Sequence, residues 1–380
     1  MANVLTDLAA DIYKAADIVG RELTGASSSV LINANASERV AKGDTVRSHF
    51  TRAATAGDIT EAMTIPEGTD QTVDNKTATI TKARSVQIPW TGEDMKHVNN
   101  GSGFETIYGD QVRQAMRTLA NEAEVDLCTD IYQNASRAVG TAGTTPFASN
   151  FDVVAESRQV LVDNGCPTDN QITMVMNTLA GTNLRNLAQL QKANEAGGTD
   201  LLRQGQLLDL QGIMLKESAG IQAHTKGTGD SYVTNGTFAV GDTTISIDGG
   251  TGTVLAGDVV TFTGDTNKYV VVTALSGGDI VIGAPGLRQS LADGVAMTVG
   301  DTTTASNVVF HRNAAELIIR PPAVPMGGDA ADDAMVIQDP FSGLVFEVRA
   351  YKGYRKSMFE VAASWGVKTW KPDFVTLLLG

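Results

Sequence analysis

Two cysteines in 380 residues, Cys128 and Cys166, are too few to staple a small secreted scaffold, and they form neither a CxxC pair nor a zinc-ligand spacing. They read as buried thiols of a chain kept in a reducing compartment. No run of about 18 apolar residues is present, so no transmembrane helix is expected. The opening MANVLTDLAADIYKAAD is amphipathic and carries Asp7, Asp11 and Asp17. A secretory leader needs a basic start and an unbroken apolar stretch instead. Positive charge is scarce too: 29 Lys and Arg stand against 43 Asp and Glu, a formal charge of −14. Such a chain is not built to bind nucleic acid by counterion release. It is suited to staying soluble at high local concentration.

Catalytic signatures are missing as well. The four histidines, His49, His97, His224 and His311, include no HExxH spacing, and no GxSxG elbow occurs. Gly264-Asp-Thr-Asn-Lys268 has a lysine without the frame of a phosphate loop and reads as a tight turn. Asp329, Asp332 and Asp333 share one loop without EF-hand spacing, which reads as a solvated loop. Glu122 and Glu124, two apart on a helix, do not face each other. Glu93 and Asp94 read as helix-capping charge. The late basic residues Arg349, Lys352, Arg355, Lys356, Lys368 and Lys371 are offset by Glu347, Glu360 and Asp373 and read as structural or interfacial. The expectation is a chain with no enzymatic activity, catalytic residue, cofactor or metal.

What is present is architectural. Leu5, Leu8, Ile12, Ala15, Ala16, Val19 and Leu23 recur at helical spacing over 4–24. Asp58–Ile65 and Ala78–Ile88 read as the arms of a long hairpin around a polar tip. Its weak apolar content asks for a neighbouring surface, because an isolated hairpin is marginal. From Phe104 to Ile131 one apolar stripe predicts a helix over 103–135, a rod of roughly 45 Å. Helices are expected over Asp152–Asp163 and Thr178–Gln191, with strands at Gln171–Met176 and within Leu207–Leu215. From about 224 to 306 the helical period disappears. Short apolar strands alternate there with Gly-Asp and Gly-Gly turns, the pattern of a small barrel or sandwich. Strands 307–310, 316–320, 345–351, 356–363, 367–370 and 374–379 follow, with a loop at Ala323–Asp333. The fold class is α+β with an inserted all-β module.

Several ordered segments resemble the major capsid (coat) proteins of tailed bacteriophages, in the branch like the P22 coat protein. They are Asn3-Val-Leu-Thr-Asp-Leu-Ala-Ala-Asp-Ile-Tyr13, Gly43-Asp-Thr-Val-Arg47 and Thr55-Ala-Gly-Asp-Ile-Thr60 at the front. Leu255–Phe262 and Asn267-Lys-Tyr-Val270 match in the module. Asn307-Val-Val-Phe-His311, Leu344–Tyr351 and Ala363-Ser-Trp-Gly-Val367 match at the end. The resemblance spans essentially the whole chain and rests on the ordered set.

It implies an HK97-type capsid fold: N-arm 1–50, E-loop hairpin 51–92 and P-domain spine helix 93–139. The A-domain would occupy 140–222 and 307–345, the inserted barrel-like β domain 223–306, and the returning P- and A-domain strands 346–380. It implies self-assembly as hexamers and pentamers into an icosahedral shell enclosing double-stranded DNA, without sequence-specific binding. The implied partners are further copies of the chain, a scaffolding protein, a portal protein and a decoration protein, with no membrane. Assembly would take place in the bacterial cytoplasm and the product would be the virion capsid. No cleaved scaffolding domain is expected, and Lys76 and Lys82 are given no crosslinking role. Leu5, Leu8 and Ile12 on the arm, and Lys76, Lys82 and Arg84 on the hairpin, are the expected subunit-interface residues. The competing reading is a β-rich binding module or adhesin of a phage structural complex. It would want an exposed aromatic platform, and the module offers only Tyr232, Phe238, Phe262 and Tyr269.

Overall fold

A computed structural model of the chain describes residues 25–51, 58, 59, 61, 63–65, 73–98, 104–191, 209–300, 304–339 and 343–380. The expected helix over 4–24, and with it Leu5, Leu8 and Ile12, lies outside the described residues. The architecture is sheet-rich and mixed, with one dominant helix.

That helix, Phe104–Gln133, runs for 30 residues. It buries Tyr108, Val112, Met116, Leu119, Leu127 and Ile131 against one face of a six-stranded sheet. The sheet order is Leu31–Ala34, Ala315–Arg320, Lys356–Thr369, Val345–Gly353, Ala331–Gln338, and Lys82–Thr91 also pairs with Lys356–Thr369. Strand alternation divides the residues between faces. Leu317, Ile319, Phe346, Val348, Val361, Ala363 and Trp365 meet the helix. Glu316, Arg320, Glu347 and Arg349 are also buried; the first three meet the segment 33–39 through paired polar contacts, and Arg349 pairs with Glu347. Asn33 Nδ2 donates to Glu316 (2.8 Å), Arg39 to Glu347 (2.6 Å), and Arg320 to Asn33 Oδ1 (2.8 Å). Buried charge is tolerated there because each group has a partner.

A second sheet runs Ile213–Glu217, Ile172–Met176, Thr304–His311, Val375–Leu379, Arg137–Val139, and on through Lys268–Ser276 into the β-rich segment. Helices Asp152–Asp163 and Thr178–Asn186 cover a core of Val154, Leu161, Met174, Leu184 and Val309. The segment 229–299 has its own core, including Ile245, Ile247, Val260, Tyr269, Ile280 and Leu287. Its strands Thr244–Asp248, Val259–Phe262, Lys268–Ser276, Asp279–Ile282 and Met297–Val299 fall where the short apolar runs predict them.

The hairpin differs from expectation. Its described arms are Thr45–Thr51 and Val73–Thr79, paired from Thr45↔Thr79 to Thr51↔Val73. The described residues of 58–65 are not in a strand. The turn at Gly43-Asp44 sets this register: Asp44 Oδ2 accepts from the Ala41 N–H, and its carbonyl accepts from Ile80. The second expected arm is two strands, separated where Ile80 buries itself with Val40, Ala78, Ile318 and Trp370. The expected helix Thr178–Gln191 breaks at Leu187, which is extended, into Thr178–Asn186 and Ala188–Gln191. The loop expected to reach Asp333 ends earlier, at the strand Ala331–Gln338. The short apolar run Phe238-Ala-Val240, read as a strand, makes an isolated bridge from Phe238 to Leu291 instead. Finally, 356–363 and 367–370 belong to one strand, Lys356–Thr369. Gly366 is not a break there. A Cβ on it would lie 2.3 Å from the Thr79 carbonyl oxygen, so glycine is what lets the two chains cross.

Candidate assembly interface

The strand Lys82–Thr91 carries the hairpin's root onto the long helix. Its residues 82, 84, 86, 88 and 90 share one face. Ile88 and Trp90 join the main core, and the Trp90 indole donates to Gln111 (3.0 Å). Further along, polar contacts replace apolar ones. Arg84 reaches Glu122 (3.0 Å) and Lys82 reaches Asp126 (2.8 Å). Glu122, Asp126 and Asp130 recur every fourth residue and form one row on the helix. Asp126 Oδ2 also accepts from the buried Trp365 indole (2.9 Å), and Asp130 Oδ2 accepts from Thr369 Oγ1 (2.7 Å). The row therefore ties the helix to the hairpin root at one end and to the long C-terminal strand at the other. The hydrogen bond from Arg84 holds the Glu122 carboxyl below its usual range, and burial pushes that of Asp130 up.

Of the six expected interface residues, three lie on described segments. Lys82 and Arg84 make ion pairs within their own chain, and Lys76 Nζ lies 3.4 Å from the Trp370 carbonyl oxygen. More telling are residues that charge and periodicity did not single out. Ile59, Met63 and Ile65, which lie in sequence between the hairpin arms Thr45–Thr51 and Val73–Thr79, are essentially fully exposed. Met326 and Tyr354, each at a turn, are exposed to the same degree. Large apolar side chains left in water together mark contact surface. The sequence signal was Ile-Thr-Glu-Ala-Met-Thr-Ile itself, but alternation alone reads as a half-buried strand.

The remaining candidates resolve into structure. The acidic loop and the late basic residues meet each other: Asp329 binds Arg349 and Tyr351, and Asp332 binds Lys352. A backbone N–H from Ala331 and the Arg349 charge hold Asp329 below the ordinary carboxylate range. His311 Nε2 pairs with Asp169 (3.0 Å) and His224 Nε2 with Asp258 (2.8 Å). Glu93 and Asp94, expected as capping charge ahead of the long helix, lie instead in a separate short helix, Gly92–Val98, where Thr91 and Asp94 exchange hydrogen bonds as a capping box. Cys128 and Cys166 are buried and unbridged. Burial raises both thiols, that of Cys166 to about 11. Among the described residues no group of three His, Cys, Asp or Glu side chains is placed to hold a metal ion, and no helix is long and apolar enough to cross a membrane.

Sequence spacing separates Glu124 from Glu122 and says no more of it. Glu124 faces away from the acidic row, as two-residue spacing requires, and is buried. Its oxygens accept from the backbone N–H of Ala26 (2.7 Å) and Ser27 (2.8 Å) and from Ser218 Oγ (2.8 Å).

No protein-family model matches the sequence, and no curated protein does. Among solved structures, the chain is similar to one from Mycobacterium phage Che8 at 14% identity, over 89% of this chain and 85% of that one, with a TM-score of 0.48. It is similar to a capsid chain of the cyanophage P-SCSP1u at 10% identity, over 92% and 86%, with a TM-score of 0.49. It is also similar to a chain of the mature capsid of bacteriophage PhiM1 at 10% identity, over 93% and 85%, with a TM-score of 0.46.

Proposed function

We propose that this chain is the major capsid subunit of a tailed bacteriophage, in the P22-like branch of the HK97-type fold. On this reading it assembles as hexamers and pentamers around double-stranded DNA. The observation that carries the reading is the exposed apolar limb, Ile59, Met63 and Ile65, which lies in sequence between hairpin arms whose root is fixed to the long helix by Arg84–Glu122 and Lys82–Asp126. A monomer gains nothing from such a limb, whereas a lattice of identical copies buries it once per subunit. The ordered sequence resemblance supports the same assignment. On this reading 51–92 is the E-loop, the helix Phe104–Gln133 is the spine, the second sheet is the A-domain core, and 223–306 is the inserted domain. The charge of −14 suits an inner surface that holds dense DNA without adhering to it. A scaffolding protein, a portal and a decoration protein are the partners this role calls for.

The test is negative-stain electron microscopy of the chain expressed alone and with the neighbouring scaffold gene. Closed shells or curved sheets are expected. A monodisperse monomer or small oligomer under both conditions refutes the proposal.

A further inference from the structure

The contacts of Glu124 are unusual for a carboxylate on a long helix. All three of its described hydrogen-bond partners are donors, and two are consecutive backbone N–H groups, Ala26 on Oε1 and Ser27 on Oε2. These open the single turn Ser27–Ser29, whose flanking Ala26 makes no side-chain cap. Glu124 supplies that cap from a distant part of the chain. Glycines press in around it. A Cβ on Gly25 would sit 2.3 Å from Glu124 Oε1, and one on Gly220 would sit 2.7 Å from its Cγ. Ser218, which binds the same carboxylate, follows the strand Ile213–Glu217 of the second sheet, and its N–H donates to Met176. Lys216 Nζ meets Ser28 Oγ (3.0 Å). One side chain thus joins the helix, the second sheet and the turn Ser27–Ser29.

We infer that Glu124 is a positioning residue for assembly: by gripping Ala26 and Ser27 it fixes the described beginning of the expected N-arm (1–50) onto the long helix. The assembly part of this inference rests on the capsid reading; the grip itself does not. Two separate oxygens serve the two N–H groups. An amide at this position offers one acceptor and turns an NH2 donor toward the other N–H, so glutamine cannot replace it.

The experiment compares full-length wild type, Glu124→Gln, Ser218→Ala and Gly25→Ala by amide hydrogen exchange and by microscopy of the assembled product. In Glu124→Gln, protection of the Ala26 and Ser27 amides should fall by about tenfold to a hundredfold, the scale of a lost hydrogen bond to a charged acceptor. Amides of Leu31–Ala34 should keep theirs, and shells should become irregular. Ser218→Ala removes one donor to Oε1 but leaves both backbone contacts in place, and should lower protection of Ala26 and Ser27 less than Glu124→Gln does. Gly25→Ala keeps Glu124 but displaces the gripped segment, and should reproduce the Glu124→Gln phenotype. It decides the matter if Glu124→Gln does not fold. Unchanged exchange at Ala26 and Ser27 in both Glu124→Gln and Gly25→Ala overturns the grip. Lost protection with normal shells overturns its role in assembly. If wild type forms no shells, the capsid reading fails, and the exchange data still judge the grip.

Discussion

Asp126 should matter more to the fold than the ion pair that makes it conspicuous. It accepts from Lys82 on one oxygen and from the Trp365 indole on the other. The Lys82 and Asp126 side chains are 42% and 24% exposed, so this pair is worth about 0–1 kcal/mol. Trp365 is fully buried. Asp126→Ala strands its N–H without an acceptor, which costs about 1–3 kcal/mol. Together the loss is about 1–4 kcal/mol. Asp126→Asn keeps a carbonyl oxygen for the indole and should lose no more than about 1 kcal/mol. Lys82→Ala should also stay within about 1 kcal/mol. Urea unfolding of the unassembled subunit, followed by tryptophan fluorescence and circular dichroism, measures all three. With the slope of a domain this size, Asp126→Ala should move the midpoint by about 1 M. If Lys82→Ala is as damaging as Asp126→Ala, or if Asp126→Ala changes the midpoint by less than its fitting error, the indole contact does not carry the stability argued for it.

Replacing Ile59, Met63 and Ile65 together by serine should leave subunit stability within about 0.5 kcal/mol, as for exposed positions generally, while abolishing shells in sedimentation; a stability loss above that would show that the limb packs on its own chain. Because burial raises the Asp130 carboxyl, the folded chain holds that proton more tightly than the unfolded chain, and stability is lost as pH climbs from the ordinary value of 3.8 through the raised one. Asp130→Asn, which keeps an oxygen for Thr369, should therefore be at least as stable as wild type at pH 7 and lose any advantage in acid; a weaker variant at pH 7 contradicts this. Both thiols should resist a disulfide reagent at pH 8 until urea unfolds the chain, and rapid labelling of the native subunit would contradict the burial of Cys128 and Cys166. Excised residues 223–306 should give dispersed amide resonances because their core is self-contained; a random-coil spectrum would mean that pairing with Arg137–Val139 is essential.

Much of this was legible in the sequence because the signals were local. The long helix announced itself through one stripe, and the module through short runs punctuated by glycine turns. Errors arose where a distant partner decided the outcome. The expected gap between 356–363 and 367–370 is closed in the structure, where Gly366 lets Thr79 cross close by without interrupting the strand. The first hairpin arm was placed too late because Ile59, Met63 and Ile65 look like the inner face of a strand, whereas Thr45–Thr51 pairs through a turn fixed by Asp44. At the interface, charge drew attention to Lys82 and Arg84, whose partners on the helix are visible only in three dimensions. For Glu124 the spacing from Glu122 gives only its face of the helix, since its donors come from residues about a hundred positions away.

The six-stranded sheet also sets a timetable. Its central strand, Lys356–Thr369, is made after every other strand of that sheet. Asn33 and Glu316, on neighbouring strands, are 283 residues apart. At roughly 5–20 residues per second, a ribosome takes roughly 15–60 s to cover that distance. Until then Leu31–Ala34 and Lys82–Thr91 have no sheet to join, and the apolar stripe of the long helix has nothing to cover it. Strands and stripes waiting in water pair with whatever they meet, including nascent copies of themselves. The interval between making the helix and making the strand that covers it is therefore when this subunit is most exposed to aggregation, and when a chaperone would matter most to its yield.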